Sequence, residues 1–200
     1  MDINEVIISG RIISEPNYSH QVNDEHFNKF FVSVIRESGI EDKVPIIASV
    51  GIIRQSLLTE GVFVQIVGQY RSYNDCERHK SVFVLARDIV IIDEELYTNI
   101  VFLKGAVCKE PCYRQLSSGK EITGLCVANN QKHNKSYYLP VVVWDKYAKR
   151  TSEYNVGDII ECKGRIQSRT YYKNNECFQV YEMNVQSINK IKCNNCETNK

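Results

Sequence analysis

The chain has 200 residues, which allows one large domain or two small ones. Hydrophobic residues make up 43% and charged residues 24% of it, which excludes a fibrous or wholly disordered chain. The net charge of +1 conceals an asymmetry: residues 1–96 carry nine Lys and Arg against fifteen Asp and Glu (−6), and residues 97–200 carry sixteen against nine (+7). This asymmetry points to a polyanionic partner for one half.

The chain begins with an acidic stretch, Met1–Glu5, that lacks the pattern of a signal peptide, and no apolar run reaches the ~18–20 residues of a membrane span. We therefore expect a cytoplasmic protein without a membrane partner. The eight cysteines show no framework spacing, and we expect them to be reduced.

The two halves of the chain repeat each other. A shift of 95 residues aligns four features: Asn4 with Asn99, Gly10 with Gly105, Glu15-Pro16 with Glu110-Pro111, and Pro45 with Pro140. A shift of 96 then aligns Gly61 with Gly157, Gly68 with Gly164, Ser72 with Ser168, and Ile92 with Ile188. A period of this length indicates a duplicated domain. We predict domains at 1–95 and 97–189, followed by a short tail at 190–200.

Both copies consist mainly of predicted strands. In the first copy the apolar stretch Phe27–Ile35 is interpreted as core. The strands predicted in the second copy are Ile100–Leu103, Ile122–Ala128, Tyr137–Trp144, Ile159–Ser168 and Cys177–Val185. Lys146–Tyr154 has no turn residues and predicts a helix after the third strand. This order predicts an all-β protein made of two tandem five-stranded OB-fold Greek-key barrels, each with one short helix.

Alternation along two strands of the second copy separates a core face from an outer face. Leu139, Val141 and Val143 suit the core, and Tyr138 and Trp144 then lie on the other side. In the next strand the predicted outer set is Glu161, Lys163, Arg165, Gln167, Arg169 and Tyr171. Aromatic rings stack on unpaired bases, and cations pair with phosphates, so this combination predicts binding to a single nucleic-acid strand.

Several segments resemble the bacterial single-stranded DNA-binding protein family. They are NIVFLKG at 99–105, LPVVVWDKYA at 139–148 and, most specifically, GRIQSRTY at 164–171. The resemblance covers roughly 97–189 and implies an OB-fold that binds single-stranded DNA without sequence preference. It also implies that Tyr138, Trp144 and Tyr171 stack on bases. We expect Arg165, Arg169, Lys163 and Arg114 to meet phosphates.

The first half resembles the family less closely, although NEVIISGR at 4–11 and Glu15-Pro16 fit. Lys43 and Ser49 stand where the second copy has Tyr138 and Trp144. Arg71, Tyr73 and Arg11 remain candidate DNA contacts, but the acidic charge predicts an assembly module or weak binding. Because the family assembles four barrels, the resemblance implies a homodimer. The chain ends without the acidic, Phe-tipped peptide that usually recruits the family's partners.

Other readings are less favoured. Cys193 and Cys196 could form half of a zinc site, with Cys108 and Cys112 as the nearest second pair, but that spacing fits a turn. No nucleophile or phosphate-loop motif is present, so we expect a non-enzymatic protein without a cofactor, metal site or catalytic residue. The alternatives are a primosome-type replication-restart protein of the same fold and a protein-interaction module that does not bind DNA.

Overall fold

A computed structural model describes residues 2–56, 58–74, 80–130, 136–173 and 176–191. Strands account for most of this part of the chain, with two short α-helices. No helix within the described residues is long and apolar enough to cross a membrane.

The first half forms a six-stranded arrangement with one helix. Its elements are β1 (Asn4–Ile12), β2 (Asn17–Val22), β3 (Glu25–Ile35), β4 (Glu41–Ser49), α1 (Val50–Ser56), β5 (Phe63–Asn74) and β6 (Lys80–Ile92). The strand order is β2-β3-β4-β6-β5-β1, and an additional pairing of β1 with β3 closes the barrel. β4 and β6 pair in parallel, whereas the described neighbours of β1, β3 and β5 are antiparallel. This is the strand order of an OB-fold barrel, with β2 added as a hairpin beside β3.

The second half repeats the same order. Its elements are β7 (Thr98–Val107), β8 (Cys112–Gln115), β9 (Glu121–Asn130), β10 (Ser136–Trp144), α2 (Ala148–Ser152), β11 (Ile159–Lys173) and β12 (Glu176–Lys190). The order β7-β11-β12-β10-β9-β8, with β7 also paired to β9, matches that of the first half. The predicted fold of two tandem OB barrels is confirmed. The predicted helix at Lys146–Tyr154 is shorter, because Asp145–Tyr147 forms a 3₁₀ turn before α2.

Repeated glycines mark the places where strands of each barrel cross closely. A Cβ on Gly10 would lie 2.2 Å from the carbonyl oxygen of Ser33, and one on Gly105 would lie 2.3 Å from that of Ala128. Because real Cβ atoms do not approach a backbone oxygen so closely, only glycine fits at these two equivalent positions. The sequence repeat therefore reflects a repeated structural requirement.

The described structure has two compact units. The amino-terminal unit comprises Glu5–Val101 and Arg165–Met183, and the carboxy-terminal unit comprises Met1–Asn4, Phe102–Gly164 and Asn184–Lys200. We call Arg165–Met183, the outer part of the β11–β12 hairpin, the arm. The units are not the two sequence repeats, and the domain bounds 1–95 and 97–189 remain a prediction. Lys190, assigned to the tail, is the last residue of β12.

Alternating apolar residues fill the centre of each unit. In the amino-terminal unit the side chains of Phe30, Val32, Val44 and Ile66 are fully buried. In the carboxy-terminal unit Leu103, Leu139, Val141, Val143 and Ile160 are at most 1% exposed. The predicted core set of β10 is confirmed, and its outer positions form the site described next.

Candidate nucleic-acid interface

β10 presents Tyr138 on the outer side of the carboxy-terminal unit. The Tyr138 side chain is 53% exposed, whereas its neighbour Leu139 is fully buried. Tyr138 lies opposite Ala128 of β9, and Ala128 lies opposite Ala106 of β7. The two alanines of this row have small side chains, so the row suits a flat ligand such as a base stacked on the tyrosine ring.

A second aromatic ring lies on the same outer face of β7. Phe102 alternates with the buried Val101 and Leu103, and its side chain is 37% exposed. The Lys163 ammonium of β11 lies 5.4 Å from the centre of the Phe102 ring, and the Lys104 ammonium lies 3.9 Å from the Glu161 carboxylate. This outer face therefore combines rings with cations. Sequence reasoning overlooked Phe102, although alternation within residues 99–105 was a sufficient signal.

Trp144 and Arg114 lie at the far end of this face. Both residues flank Ile122 of β9, because Arg114 is paired with it on one side and Trp144 on the other. Tyr138 and Trp144 are six residues apart on one strand, which is about 20 Å at ~3.3 Å per residue. We call Tyr138, Phe102, Lys163, Arg114 and Trp144 the Tyr138 face.

Trp144 is less exposed than the sequence suggested. Its side chain is half-buried, and its buried indole Nε1 has no hydrogen-bond partner within the part of the chain that the structure describes. A buried N–H without an acceptor costs free energy. The strand phase of Trp144 is as predicted, but part of the indole packs against the unit.

The arm carries Arg165 and Arg169 in the amino-terminal unit, whereas Tyr138, Trp144, Lys163 and Arg114 belong to the carboxy-terminal unit. The ten predicted DNA contacts are therefore divided between two units. Tyr171 lies in β11, but its side chain is outside the described residues. Arg71, Tyr73 and Arg11 lie in the amino-terminal unit.

Alternation in β11 fails within the arm. Gln167, predicted to face outward, is buried, and its amide donates to Glu182 at 3.0 Å. The Arg169 guanidinium also donates to Glu182, at 3.2 Å. Burial and the nearby Arg36 lower the pKa of Arg165, while Asp42 opposes this shift. Gln167 and Arg169, both predicted to face outward, are thus bonded to a carboxylate of the neighbouring strand β12.

An aromatic cluster lies on the amino-terminal unit. The rings of Phe31 and Tyr181 are 6.4 Å apart, and the Lys29 ammonium lies 5.2 Å from the Phe31 ring. Burial raises the pKa of Tyr181, and so does the nearby Tyr73, whose own ring lies 5.7 Å from that of Phe83. We call these five residues the Phe31 cluster.

The Phe31 cluster corrects one interpretation of the sequence. In the stretch Phe27–Ile35, Phe30, Val32 and Val34 are core residues, but Lys29 and Phe31 lie on the other face and are half-buried. The stretch is therefore only partly core. The Phe31–Tyr181 contact joins residues 150 positions apart, and no local pattern reveals it.

The two predicted arginines of the first copy differ in exposure. Arg11 is exposed on β1. Arg71 donates to Gln69 on the same strand, and burial, together with the nearby Arg87, lowers its pKa to about 10. Arg11 is therefore the better placed of the two to meet a phosphate.

Among the described residues, no three or more His, Cys, Asp and Glu side chains are grouped so that they could hold a metal ion. Cys193 and Cys196 lie outside those residues.

Comparisons with known proteins agree with this architecture. The profile of the Single-strand binding protein family matches residues 98–191. Single-stranded DNA-binding protein B of Bacillus subtilis is 31% identical over 90 residues, which cover 42% of this chain and 79% of that protein. Single-stranded DNA-binding protein 1 of Clostridium acetobutylicum is 30% identical over 81 residues, which cover 36% and 74%. The match to the Clostridium tetani single-stranded DNA-binding protein covers 55% of its length.

A solved structure extends the likeness to the whole chain. The wild-type single-stranded DNA binding protein from Thermus aquaticus superposes with a TM-score of 0.79 over 99% of this chain and 97% of its own. The sequence identity is 18%, so this comparison establishes the fold alone.

Proposed function

Because the chain belongs to the Single-strand binding protein family, we propose that it binds single-stranded DNA without sequence preference, as a non-enzymatic protein. The proposal rests on the Tyr138 ring, which is half exposed in a row with two alanines, and on Phe102 and Lys163, which lie on the same outer face of the unit. Unpaired bases stack on exposed rings regardless of their identity. Bases in a duplex already stack on each other, so this face favours single strands.

The Tyr138 face supplies stacking and charge together. Tyr138 and Phe102 are partly exposed rings of this face, and Lys163 and Arg114 are exposed cations on it. Pairing with phosphates releases condensed counterions, which makes the binding salt-dependent. We assign the main DNA contacts to this face, and we retain Tyr171 as a proposed stacking residue.

The Phe31 cluster is the proposed second contact. Lys29, Phe31 and Tyr181 join a cation to two rings, and Tyr73 adds a ring that is 43% exposed. Arg11, Arg165 and Arg169 are the proposed cations of this unit. Arg169 shares the Glu182 carboxylate and Arg165 is partly buried, so we expect each to contribute less than Lys163.

We propose further that the protein acts in the cytoplasm during replication, recombination or repair, as a homodimer with four OB barrels. Processes of this kind are typical of the family, and the chain itself supplies two barrels. Sedimentation of the full chain over a range of concentrations tests the dimer.

Titration of a labelled oligothymidine, with the matched duplex as control, tests the proposal. We expect saturable binding of the single strand that weakens as salt rises, and far weaker binding of the duplex. Tyr138→Ala should cost about 1–3 kcal/mol of binding free energy. Tyr113→Ala is the matched control. Tyr113 is 40% exposed in the same unit, but it precedes Arg114 directly on β8 and therefore lies on the other face of that strand. Equal losses in both variants, or no binding, would favour a protein-interaction module.

A further inference from the structure

Two cysteines face each other across the barrel of the carboxy-terminal unit. Ala106 pairs with Ala128 and Val107 with Val127, so the next position places Cys108 opposite Cys126. The Cys108 backbone N–H donates to the Cys126 carbonyl oxygen at 2.9 Å, which continues the ladder to this pair. The Cys108 Sγ lies 3.1 Å from the same oxygen. The two thiols therefore belong to one cross-strand row.

In a hydrogen-bonded pair such as this one the Cα atoms are about 5.5 Å apart, which lies within the range of a disulfide, whereas the Cβ atoms must come closer. Directly opposite residues of an antiparallel pair have Cβ atoms about 4.5–5.5 Å apart. A disulfide requires Cα atoms about 4.4–6.8 Å apart and Cβ atoms about 3.5–4.5 Å apart. Rotation of the two side chains and a small approach of the strands would bring the sulfurs into bonding distance. Neither cysteine is in a disulfide in this structure.

Two other cysteines of the same unit serve as internal references. Cys112 is exposed and lies opposite Gly124, so it is diagonal to Cys126, a relationship that separates residues by about 7–8 Å. Cys162 is buried, and burial raises the pKa of its thiol to about 12. Because the thiolate is the reacting form, Cys162 should be inert. Cys108 and Cys126 are half-buried, between these extremes.

The cysteine pair lies within the proposed DNA-binding surface. Cys126 is also opposite Pro140 of β10, so Pro140, Cys126 and Cys108 form one row. The adjacent row on the same face contains Tyr138, Ala128 and Ala106. Adjacent rows of one face are about 7 Å apart along the strand. A base stacked on Tyr138 would therefore cover the approach to the thiols.

We propose that Cys108 and Cys126 are a redox-active pair that oxidises to a cross-strand disulfide, and that bound single-stranded DNA shields it from small oxidants. The shielding rests on the proposed function, whereas the disulfide does not. With glutathione disulfide as the oxidant, one thiolate attacks a glutathione sulfur, forms a mixed disulfide and releases one glutathione thiolate. The second cysteine thiolate then attacks the protein sulfur of that mixed disulfide and releases the other glutathione. Two cysteine thiols are oxidised, and one glutathione disulfide is reduced to two glutathione thiols, which take up the two protons that the cysteines lose.

Peptide mapping of the full chain tests the pair. The protein is equilibrated with mixtures of reduced and oxidised glutathione, quenched in acid, alkylated and digested. We expect a Cys108–Cys126 cross-linked peptide in the wild type and in Cys112→Ser, and none in Cys126→Ser. Cys162 should be alkylated only after unfolding. A Cys193→Ser, Cys196→Ser background removes a competing pair. The proposal would be overturned if the main cross-link joined Cys112 to Cys126. It would also be overturned if no cross-link formed even in the mixture richest in glutathione disulfide.

In a second experiment the oxidation is repeated with oligothymidine present, and DNA binding is measured separately by fluorescence anisotropy. DNA at tenfold above Kd leaves about a tenth of the sites open, so shielding should slow oxidation about tenfold. Duplex DNA at the same concentration is the control. Undiminished oxidation with DNA shown to be bound would refute shielding but leave the proposed function intact. If no DNA binds, the proposed function fails, and the peptide mapping without DNA still decides whether the disulfide forms.

Discussion

Asp42 of β4 accepts a hydrogen bond from the backbone N–H of Ser168, at 3.0 Å, and so joins a strand of the first half to the arm. The Ser168 hydroxyl in turn accepts the backbone N–H of Lys43 at 3.1 Å. Arg36 donates twice to the Asp42 carboxylate, with both distances at 2.6 Å, and the Asp42 side chain is fully buried. One carboxylate thus holds Arg36 and the arm together inside the amino-terminal unit.

Removal of that carboxylate should destabilise the amino-terminal unit. Asp42→Ala leaves the Arg36 guanidinium without its partner and the Ser168 N–H without its acceptor. Breaking a buried pair from one side costs about 3–5 kcal/mol, so we expect a loss of this size in the free energy of unfolding in urea. Asp88→Ala, at an exposed carboxylate of β6, is the control and should change little. Equal stabilities would show that the contact contributes nothing.

Trp144, the only tryptophan, should report on DNA directly. We expect oligothymidine to quench its emission strongly and duplex DNA to quench it weakly. Trp144→Ala should lower the free energy of unfolding by about 2 kcal/mol, since it removes a large apolar side chain that is half-buried in the folded unit. Trp144→Phe should cost less, because it removes a buried N–H whose desolvation costs about 1–3 kcal/mol. If oligothymidine does not change the fluorescence of Trp144, the indole lies outside the binding surface.

The division of labour between the units is best tested in the full chain. An isolated fragment of residues 97–200 would separate the arm from Asp42, Lys43 and Phe31, so its behaviour would not measure affinity alone. We expect Tyr138→Ala to weaken DNA binding more than Phe31→Ala, because Phe31 is already covered by Lys29 and Tyr181. Titrations with the same oligothymidine make the comparison, and a larger loss in Phe31→Ala would reverse the assignment.

Salt dependence should identify the cations that meet phosphates. Each phosphate neutralised on a single strand adds about 0.7 to the slope of log affinity against log salt. We therefore expect Lys163→Ala and Arg114→Ala each to reduce the slope by about 0.7. Lys149→Ala, at an exposed position of α2, should leave the slope unchanged. If Lys149→Ala lowers the slope as much as the other two, binding depends on net charge alone.

The end of β12 should matter more than the tail beyond it. The Lys190 ammonium lies 2.6 Å from the Asp158 carboxylate, and Ile191 donates to the Ile159 carbonyl at 2.8 Å. We expect deletion of residues 190–200 to lower the Tm, and deletion of 192–200 to leave Tm and DNA affinity nearly unchanged. Scanning calorimetry of both deletions distinguishes the two expectations, and identical Tm values would show that Lys190 and Ile191 are dispensable.

The same ion pair predicts a pH dependence. The Lys190 ammonium and the Asn155 backbone N–H lower the pKa of Asp158 in the folded state. This contribution to stability is present above the ordinary carboxyl pKa of about 3.9 and is lost as the pH falls through the lower folded value. Asp158→Asn should therefore reduce the Tm at pH 7 and have little effect near pH 2. An effect that grows as the pH falls would have the opposite sign and exclude the ion pair as its cause.

Features that depend on residues close together in the chain could be predicted before the fold was known. The repeated glycines and the succession of strands along the chain are visible in the sequence itself. The burial of Leu139, Val141 and Val143 can be predicted from it as well, because side chains of a strand alternate between its faces. The same local rule placed Tyr138 and Lys163 on the outside. It would also have found Phe102.

The partners of the side chains in the arm could be identified only from the folded structure. Gln167 bonds to Glu182, 15 residues further along the chain. Ser168 bonds to Asp42, 126 residues away, and Tyr181 contacts Phe31, 150 residues away. The opposition of Cys108 and Cys126 likewise depends on the register between two strands. Alternation assigns a residue to a face, but pairing across space determines whether that face meets solvent, another strand or a reactive partner, and this pairing is not encoded in any short segment.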